Sequence, residues 1–264
     1  MEFEIASGEG LPIRGNFDAP PDARALVIVV HGFKGFKDWG FFPWLADSLC
    51  RERAAVCRFN MSRSGIGENP DTFERLDLFA DDTYSAQIDD LLDVVLWCQA
   101  RVDLPTFLLG HSRGGGIALL AADQVDHLSG VALWNPIARA DRWDEATKHQ
   151  WRRDGFQDVI NARTKQVMRM STRMLDDYDQ HRERLDILGA AVRLDVPLLV
   201  VSGARDESVP PGESREIAAY SRDAALVSIA TATHTFNAIH PLVDVPPELS
   251  LAAAVTARFV NVYA

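Results

Sequence analysis

The chain has 264 residues, a formal net charge of −11 at pH 7 and 47% hydrophobic residues. This length accommodates one large α/β domain, and the hydrophobic fraction can supply its core. The negative charge would repel phosphate backbones and anionic lipid surfaces, so we expect neither a nucleic acid nor a membrane as a partner.

We expect neither export nor membrane insertion from this sequence. No apolar run approaches the ~20 residues that a membrane-spanning helix requires. Acidic Glu2 and Glu4 stand where a secretory signal peptide would carry lysine or arginine. The three cysteines, Cys50, Cys57 and Cys98, lack the spacing of a zinc site or of a disulfide framework, which suits reduced thiols. We therefore expect a cytoplasmic protein without a bound metal.

The predicted elements alternate between strands and helices along most of the chain. Two edge strands are predicted at the amino terminus, over 2–6 and 11–16. The clearest helix covers 82–100, where apolar residues recur at helical spacing, and a last helix opens at Pro246. Further strands are predicted over 27–30, 55–59, 105–109, 130–134, 197–201 and 226–230. This alternation predicts a mostly parallel central sheet with helices on both faces.

The pentapeptide from Gly110 to Gly114 has the G-x-S-x-G pattern and follows the strand predicted over 105–109. A sharp turn from strand to helix would push the hydroxyl of Ser112 out at the carboxyl end of that strand. Free N–H groups at the start of the helix would favour developing negative charge. Alone the pattern is weak, since glycine and serine also form ordinary turns. Between a buried strand and a helix it predicts a nucleophilic serine.

An oxyanion hole is predicted from two backbone N–H groups. One belongs to Arg113, directly after the serine, and the other to Phe33, in the loop after the strand at 27–30. Phe36 follows in the same loop and is a tentative substrate-pocket residue. His31 could act as the general base, but a histidine at this point more often braces the loop, which is the role we favour.

An acid and a base follow the last two predicted strands. Asp206 could accept the Nδ1–H of a histidine and so fix its tautomer, with Glu207 as the competing acid. His234 could take the proton of the serine hydroxyl through Nε2. His240 is the competing base, but it lies farther from the end of its strand.

The order Ser112, Asp206, His234 is the Ser–Asp–His order of the α/β-hydrolases. The chain resembles this family, and within it the small bacterial serine esterases of the feruloyl or cinnamoyl esterase type. The matching segments, which reach from about residue 25 to the carboxyl terminus, are 31–37, 58–65, 110–115, 133–136, 203–210 and 234–236. Arg113 departs from the pattern, because many members of the family carry a smaller or apolar residue such as methionine there.

Residues 137–194 interrupt the alternation with charged helical sequence and no convincing buried strand. We interpret this segment as a helical cap, inserted into an α/β-hydrolase core formed by 1–136 and 195–264. A cap would exclude water and shape the acyl pocket, although about half of its apolar residues should serve only to anchor it. Its tentative pocket residues are Trp143, Met170 and Met174.

These observations predict a carboxylesterase that cleaves a small-molecule ester through an acyl-enzyme, without a metal or organic cofactor. The same residues could act on an amide, a thioester or a peroxide, as in an aminopeptidase, a thioesterase or a perhydrolase. A non-catalytic hydrolase-fold protein that binds a small ligand is a further alternative. We expect a monomer or a homodimer.

Overall fold

A computed structural model describes residues 1–69 and 72–264. The strands in these residues are β1 (Glu2–Ala6), β2 (Pro12–Asp18), β3 (Ala25–Val30), β4 (Ala54–Asn60), β5 (Thr106–His111), β6 (Leu128–Trp134), β7 (Phe156–Ile160), β8 (Val167–Ser171), β9 (Leu198–Gly203) and β10 (Ala224–Ile229). The helices are α1 (Phe42–Arg51), α2 (Leu76–Ala80), α3 (Tyr84–Gln99), α4 (Arg113–Ala121), α5 (Glu145–Asp154), α6 (Arg173–Gln180), α7 (Ile187–Arg193), α8 (Pro211–Tyr220) and α9 (Pro247–Tyr263).

The main sheet of the described residues has the strand order β1-β2-β4-β3-β5-β6-β9-β10. The pairs β1–β2 and β2–β4 are antiparallel, and the other neighbouring pairs are parallel. The mostly parallel sheet that the alternation predicts is therefore confirmed. Because β5 lies at the centre, its carboxyl end opens between the loops that follow β3 and β6.

Helices cover both faces of this sheet and enclose two hydrophobic cores. Alternate residues of β3 serve the two sides: Leu26 and Ile28 join the core beneath α3, α4 and α7, whereas Val27 and Val29 join the core beneath α1 and α9. A strand buried on both faces must be apolar at every position, which explains why β3 is a continuous apolar run.

The segment 137–194 contains three helices, α5, α6 and α7, as its charged helical sequence predicted. It also contains an antiparallel pair of strands, β7 and β8, which we did not predict. This pair forms a two-stranded sheet of its own, and most of its residues are partly buried or exposed. Short strands that are half exposed lack the continuous apolar run by which buried strands are recognised.

None of the helices in the described parts of the chain combines the length and the apolar composition that a bilayer-spanning segment requires.

Candidate active site

Ser112 occupies a strained turn between β5 and α4. Its φ of 57° and ψ of −122° lie outside the regions that non-glycine residues favour. The turn is held in place by the backbone, because the Ser112 N–H donates to the carbonyl of Trp134 at 2.9 Å and its own carbonyl accepts from the N–H of Gly115 at 3.0 Å. Strain of this kind persists only where the surroundings enforce it, and it is concentrated at functional sites.

Two glycines allow this turn to pack against its neighbours. A Cβ atom on Gly110 would lie 2.3 Å from the carbonyl oxygen of Gly114, and one on Gly114 would lie 2.3 Å from the carbonyl oxygen of Val30. These distances are too short for any side chain, so the first and last positions of the pentapeptide require glycine.

Asp206 and His234 lie in contact beyond the ends of β9 and β10. The Nδ1 of His234 is 2.7 Å from Oδ2 of Asp206, whose other carboxylate oxygen accepts the N–H groups of Ser208 and Val209 at 2.8 and 2.9 Å. Burial acts to raise the pKa of Asp206, but the hydrogen bonds from His234 and Val209 outweigh it and lower the pKa below its usual value. Asp206 therefore stays ionised and can orient the His234 ring. The neighbouring Glu207 is exposed.

The backbone of His234 is held by two buried side chains. Its carbonyl oxygen accepts a hydrogen bond from Nε2 of His111 at 2.9 Å and one from Nδ2 of Asn135 at 2.8 Å. Burial, followed by the nearby His234, lowers the pKa of His111 to about 3, so this ring stays neutral. Asn135 also accepts the N–H of Gly203 at 2.7 Å, and thereby ties the loop of His234 to the end of β9.

The competing histidines make other contacts. His31 is buried, with Nδ1 2.9 Å from the carbonyl of Gly32 and Nε2 accepting the N–H of Met61 at 3.3 Å. This is the bracing arrangement that the sequence favoured for it, and burial lowers its pKa to about 4. His240 accepts the N–H of Gly40 at 2.8 Å and packs edge-on against Phe36.

The loop after β3 lies directly against Ser112. A Cβ atom on Gly32 would be 2.9 Å from Cβ of Ser112 and 3.4 Å from its hydroxyl oxygen. Phe33 follows Gly32 and lines the same cavity as Ser112. Lys34 has a φ of 57°, so the loop adopts a left-handed turn at a residue other than glycine.

A cavity of about 330 Å³ opens beside Ser112 and His234. Its wall carries two basic side chains, Lys34 and Arg163, and no acidic side chain among the described residues that line it. The wall includes a turn between β7 and β8, so the segment 137–194 contributes to it. The remaining lining residues are Gly32, Phe33, Gly35, Trp39, Phe42, His111, Asn161, Ala162, Ser208 and Thr235.

The tentative pocket residues lie elsewhere. Phe36, Met170 and Met174 are buried in the core, and Trp143 is half-buried with its ring centroid 5.0 Å from that of Trp151. None of them belongs to the cavity wall in the described residues. Apolar side chains at regular spacing on a docked helix or strand pack first against the body of the protein, which explains the placement of Met170 and Met174.

Several residues of the site were not singled out in the sequence. Trp39 and Phe42 line the cavity, and Phe42 is also buried in the hydrophobic core. Asn135 has a φ of 46° and links the loops of Asp206 and His234. An asparagine before a proline at the end of a strand was the available signal, but an isolated asparagine is also common in ordinary turns.

The side chain of Arg113 is buried, with 4% exposure. Its guanidinium lies 4.0 Å from the centroid of the Phe33 ring and 4.9 Å from that of Tyr84. Nη1 is 3.9 Å from Oδ2 of Asp82, which is also buried. The arginine that departs from the family pattern therefore points away from solvent, towards the loop of Phe33 and the start of α3.

No group of three or more His, Cys, Asp or Glu side chains is arranged to hold a metal ion within residues 1–69 and 72–264.

Comparisons with known proteins agree with this architecture. Residues 21–185 match the family described as serine aminopeptidase S33, an α/β-hydrolase family. Over 119 residues the chain is 33% identical to monoglyceride lipase from Rattus norvegicus, an alignment that covers 44% of this chain and 36% of that protein. The chain thus aligns with little more than a third of the length of this relative.

Solved structures share the fold over nearly the whole chain. A putative hydrolase from Agrobacterium vitis S4 is 16% identical, with a TM-score of 0.78 and 98% of both chains covered. Est1E from Butyrivibrio proteoclasticus is 19% identical, with a TM-score of 0.72 over 99% of this chain and 98% of the other. The expected α/β-hydrolase fold is confirmed, and the family match covers more than half of the residues. The chain therefore belongs to the serine aminopeptidase S33 family of α/β-hydrolases.

Proposed function

We propose that the chain is a serine hydrolase that cleaves carboxylic esters, with Ser112 as nucleophile, His234 as base and Asp206 as acid. The observation that carries the proposal is the 2.7 Å contact between His234 Nδ1 and Asp206, on a histidine whose ring lines the same cavity as Ser112. A base that is oriented by a buried carboxylate next to a strained serine is the arrangement that activates a hydroxyl nucleophile.

In the acylation step, Ser112 Oγ forms a bond to the ester carbonyl carbon while Nε2 of His234 takes the hydroxyl proton. The carbonyl oxygen becomes an oxyanion, which accepts hydrogen bonds from the backbone N–H groups of Phe33 and Arg113. The intermediate collapses when the bond to the alcohol oxygen breaks, and His234 gives its proton to that oxygen. Asp206 remains ionised and stabilises the imidazolium.

Deacylation repeats these steps with water. His234 Nε2 takes a proton from a water molecule whose oxygen attacks the acyl carbon, and the second oxyanion occupies the same two N–H groups. When the bond to Ser112 Oγ breaks, the proton returns from His234 to the serine. The products are a carboxylic acid and an alcohol, and the residues end in their starting protonation states.

The charges of the cavity favour an ester over the amino-terminal amide of an aminopeptidase. A peptide with a free amino terminus carries a positive charge close to its scissile bond, which calls for a nearby carboxylate. The cavity wall, in the described residues, instead carries Lys34 and no carboxylate. The monoglyceride lipase among the relatives also points to an ester substrate.

We also propose that residues 137–194 act as a cap over a core of 1–136 and 195–264. The turn between β7 and β8 supports this, because Asn161, Ala162 and Arg163 line the cavity beside Ser112. Nζ of Lys34 donates to the carbonyl of Ile160 at 3.1 Å, which links the proposed oxyanion loop to the same turn. Such a cap would limit the size of the group that reaches the serine.

A fluorophosphonate probe, mapped by peptide mass spectrometry, tests the proposed nucleophile. We expect a single adduct on Ser112 and hydrolysis of p-nitrophenyl esters that Ser112→Ala abolishes while its melting temperature stays close to that of the wild type. Ser202→Ala is the matched control, because Ser202 is another buried serine and its hydroxyl makes no hydrogen bond in the described residues. Labelling of another residue such as Ser208, or no labelling at all, would contradict the proposal.

The leaving group is tested with parallel substrates of similar acyl size. We expect turnover of p-nitrophenyl esters to exceed that of the corresponding aminoacyl p-nitroanilides. A preference for the aminoacyl amides would replace the esterase with an aminopeptidase that uses the same residues.

A further inference from the structure

We propose that the side chain of Arg113 is a positioning residue that fixes the Phe33 loop relative to Ser112. By doing so it would set the spacing of the two backbone N–H groups that receive the oxyanion. This role rests on the proposed function, since it concerns the geometry of the same oxyanion hole.

The burial of Arg113 requires an explanation, because a guanidinium is almost never fully buried without partners. Removing such a charge from water costs several kcal/mol even after relaxation. Its nearest carboxylate, Asp82, is 3.9 Å away, too far for a hydrogen bond, and Nη1 has no hydrogen-bond partner in the described residues. A side chain kept only for stability would be expected to have better polar contacts.

The guanidinium of Arg113 also contacts two aromatic rings. It lies 4.0 Å from the centroid of the Phe33 ring and 4.9 Å from that of the Tyr84 ring. Phe33 also stacks on Phe79, with ring centroids 5.7 Å apart and an interplanar angle of 28°. A planar guanidinium is suited to such stacking, and the desolvated site strengthens the cation–π attraction.

These contacts connect the two halves of the proposed oxyanion hole. The backbone N–H of Arg113 starts α4, directly after Ser112, whereas the N–H of Phe33 belongs to the loop after β3. Within that loop Lys34 is held at a φ of 57°, a conformation that needs support from its surroundings. Stacking of Arg113 on Phe33 supplies a side-chain link that spans the gap between the two elements.

The charge of Arg113 also acts on Lys34, in the loop after β3. Burial, followed by repulsion from Arg113, lowers the pKa of Lys34. Arg113 and Lys34 therefore interact across the gap between α4 and the loop of Phe33.

The test compares kcat and KM of Arg113→Met and Arg113→Lys on p-nitrophenyl esters. Both variants keep the backbone N–H. We expect Arg113→Met to lower kcat about 10- to 100-fold with KM changed less than about threefold, because a small misplacement of an oxyanion donor acts on the transition state. Arg113→Lys keeps the charge without the planar face, so its kcat should lie between those of the wild type and of Arg113→Met.

A double-mutant cycle with Phe33→Leu separates positioning from general destabilisation. Leucine removes the ring and keeps the N–H of residue 33. If Arg113 acts through this ring, Arg113→Met should lower kcat less than about threefold in the Phe33→Leu background. Equal losses of kcat in both backgrounds would overturn the proposal.

Arg63→Met is the matched control, because Arg63 is buried to a similar degree, with 8% exposure, but pairs with Glu9. It should lower the melting temperature without lowering kcat more than about twofold. If Arg113→Met does not fold, kcat of Arg113→Lys is compared with kcat of the wild type and of Phe33→Leu. This comparison then decides whether Arg113 positions the Phe33 loop.

The outcomes distinguish this inference from the proposed function. A wild-type enzyme that hydrolyses esters through Ser112, together with an Arg113→Met variant of unchanged kcat, refutes only the role of Arg113. A wild-type chain without labelling at Ser112 refutes both.

Discussion

Replacing Asn135 with alanine should destabilise the protein and slow catalysis together, because this side chain joins the loops that carry Asp206 and His234. Asn135 is 1% exposed. Its Nδ2 donates to the carbonyls of His234 and Thr233 at 2.8 and 3.3 Å, and its Oδ1 accepts the N–H of Gly203 at 2.7 Å. Alanine removes all three hydrogen bonds.

The magnitude follows from the groups left behind. The N–H of Gly203 would lose its side-chain acceptor, which costs about 1–3 kcal/mol for a buried group. The carbonyl of His234 would keep its hydrogen bond from His111, so the loss of its bond from Asn135 adds only about 1 kcal/mol. The lost hydrogen bonds alone should therefore lower the free energy of unfolding by about 2–4 kcal/mol. At roughly 3 °C per kcal/mol for a chain of this size, that loss should lower the melting temperature by about 6–12 °C, before the backbone strain of alanine is added.

Two further variants separate the effect of the lost hydrogen bonds from that of backbone strain. Asn135 has a φ of 46°, so alanine adds backbone strain of ~1 kcal/mol that Asn135→Gly avoids. Asn135→Asp keeps the acceptor for Gly203 but places a carboxylate against two carbonyl oxygens. Thermal denaturation followed by circular dichroism gives the melting temperatures, and Asn261→Ala, at an exposed asparagine, is the control.

The loss of kcat should accompany the loss of stability, at about tenfold for Asn135→Gly, because the His234 loop would no longer be tied to β9. A melting temperature within about 2 °C of the wild type for both Asn135→Gly and Asn135→Ala would refute the reasoning. Unchanged kcat in a clearly destabilised Asn135→Gly would show that Asn135 supports the fold without positioning His234.

Three further predictions concern the turn, the acid and a buried carboxylate. Gly110→Ala should prevent soluble expression of folded protein, because its Cβ would lie 2.3 Å from the carbonyl oxygen of Gly114; a native circular dichroism spectrum at wild-type yield would contradict this. Asp206→Asn should lower kcat about 10³- to 10⁴-fold on p-nitrophenyl esters, because an amide cannot fix the His234 tautomer or stabilise its cation, and a loss of less than tenfold would count against Asp206 as the acid. Burial raises the pKa of Asp82 from 3.8 to about 7, against the attraction of Arg113. The folded state then binds this proton more tightly than the unfolded state, so its contribution to stability, up to about 4 kcal/mol, is present below pH ~4 and is lost as the pH rises to ~7. Urea denaturation gives the free energy of unfolding, which should fall less from pH 5 to pH 8 for Asp82→Asn than for the wild type. An identical fall in both proteins would refute the raised pKa of Asp82.

The sequence predicted most of the main sheet because its strands are marked by composition. A strand covered on both faces is mostly apolar: β3 is apolar throughout, and β5 and β9 each contain a short apolar run. The hairpin of β7 and β8 was missed because it is only partly covered and its residues are mixed in character. The composition of a segment indicates how far it is buried, and the β7–β8 hairpin is only partly buried.

The proposed catalytic residues could be selected from the sequence because each follows a predicted parallel strand. The carboxyl ends of such strands meet at one edge of the sheet, so residues far apart along the chain are brought together. In the structure Asp206 and His234 are in contact, and His234 and Ser112 share one cavity.

The sequence alone thus determined the family resemblance, the mostly parallel sheet and the order of the candidate residues, since these depend on local periodicity and on short motifs. The tertiary structure decided which side chains form the cavity wall, how Asn135 ties two loops together and where Arg113 points. These features depend on contacts between residues that are distant in the chain, which no local pattern encodes. Arg113 lies at the centre of the most recognisable motif of the sequence, yet only its packing against Phe33 and Tyr84 indicates what its side chain does.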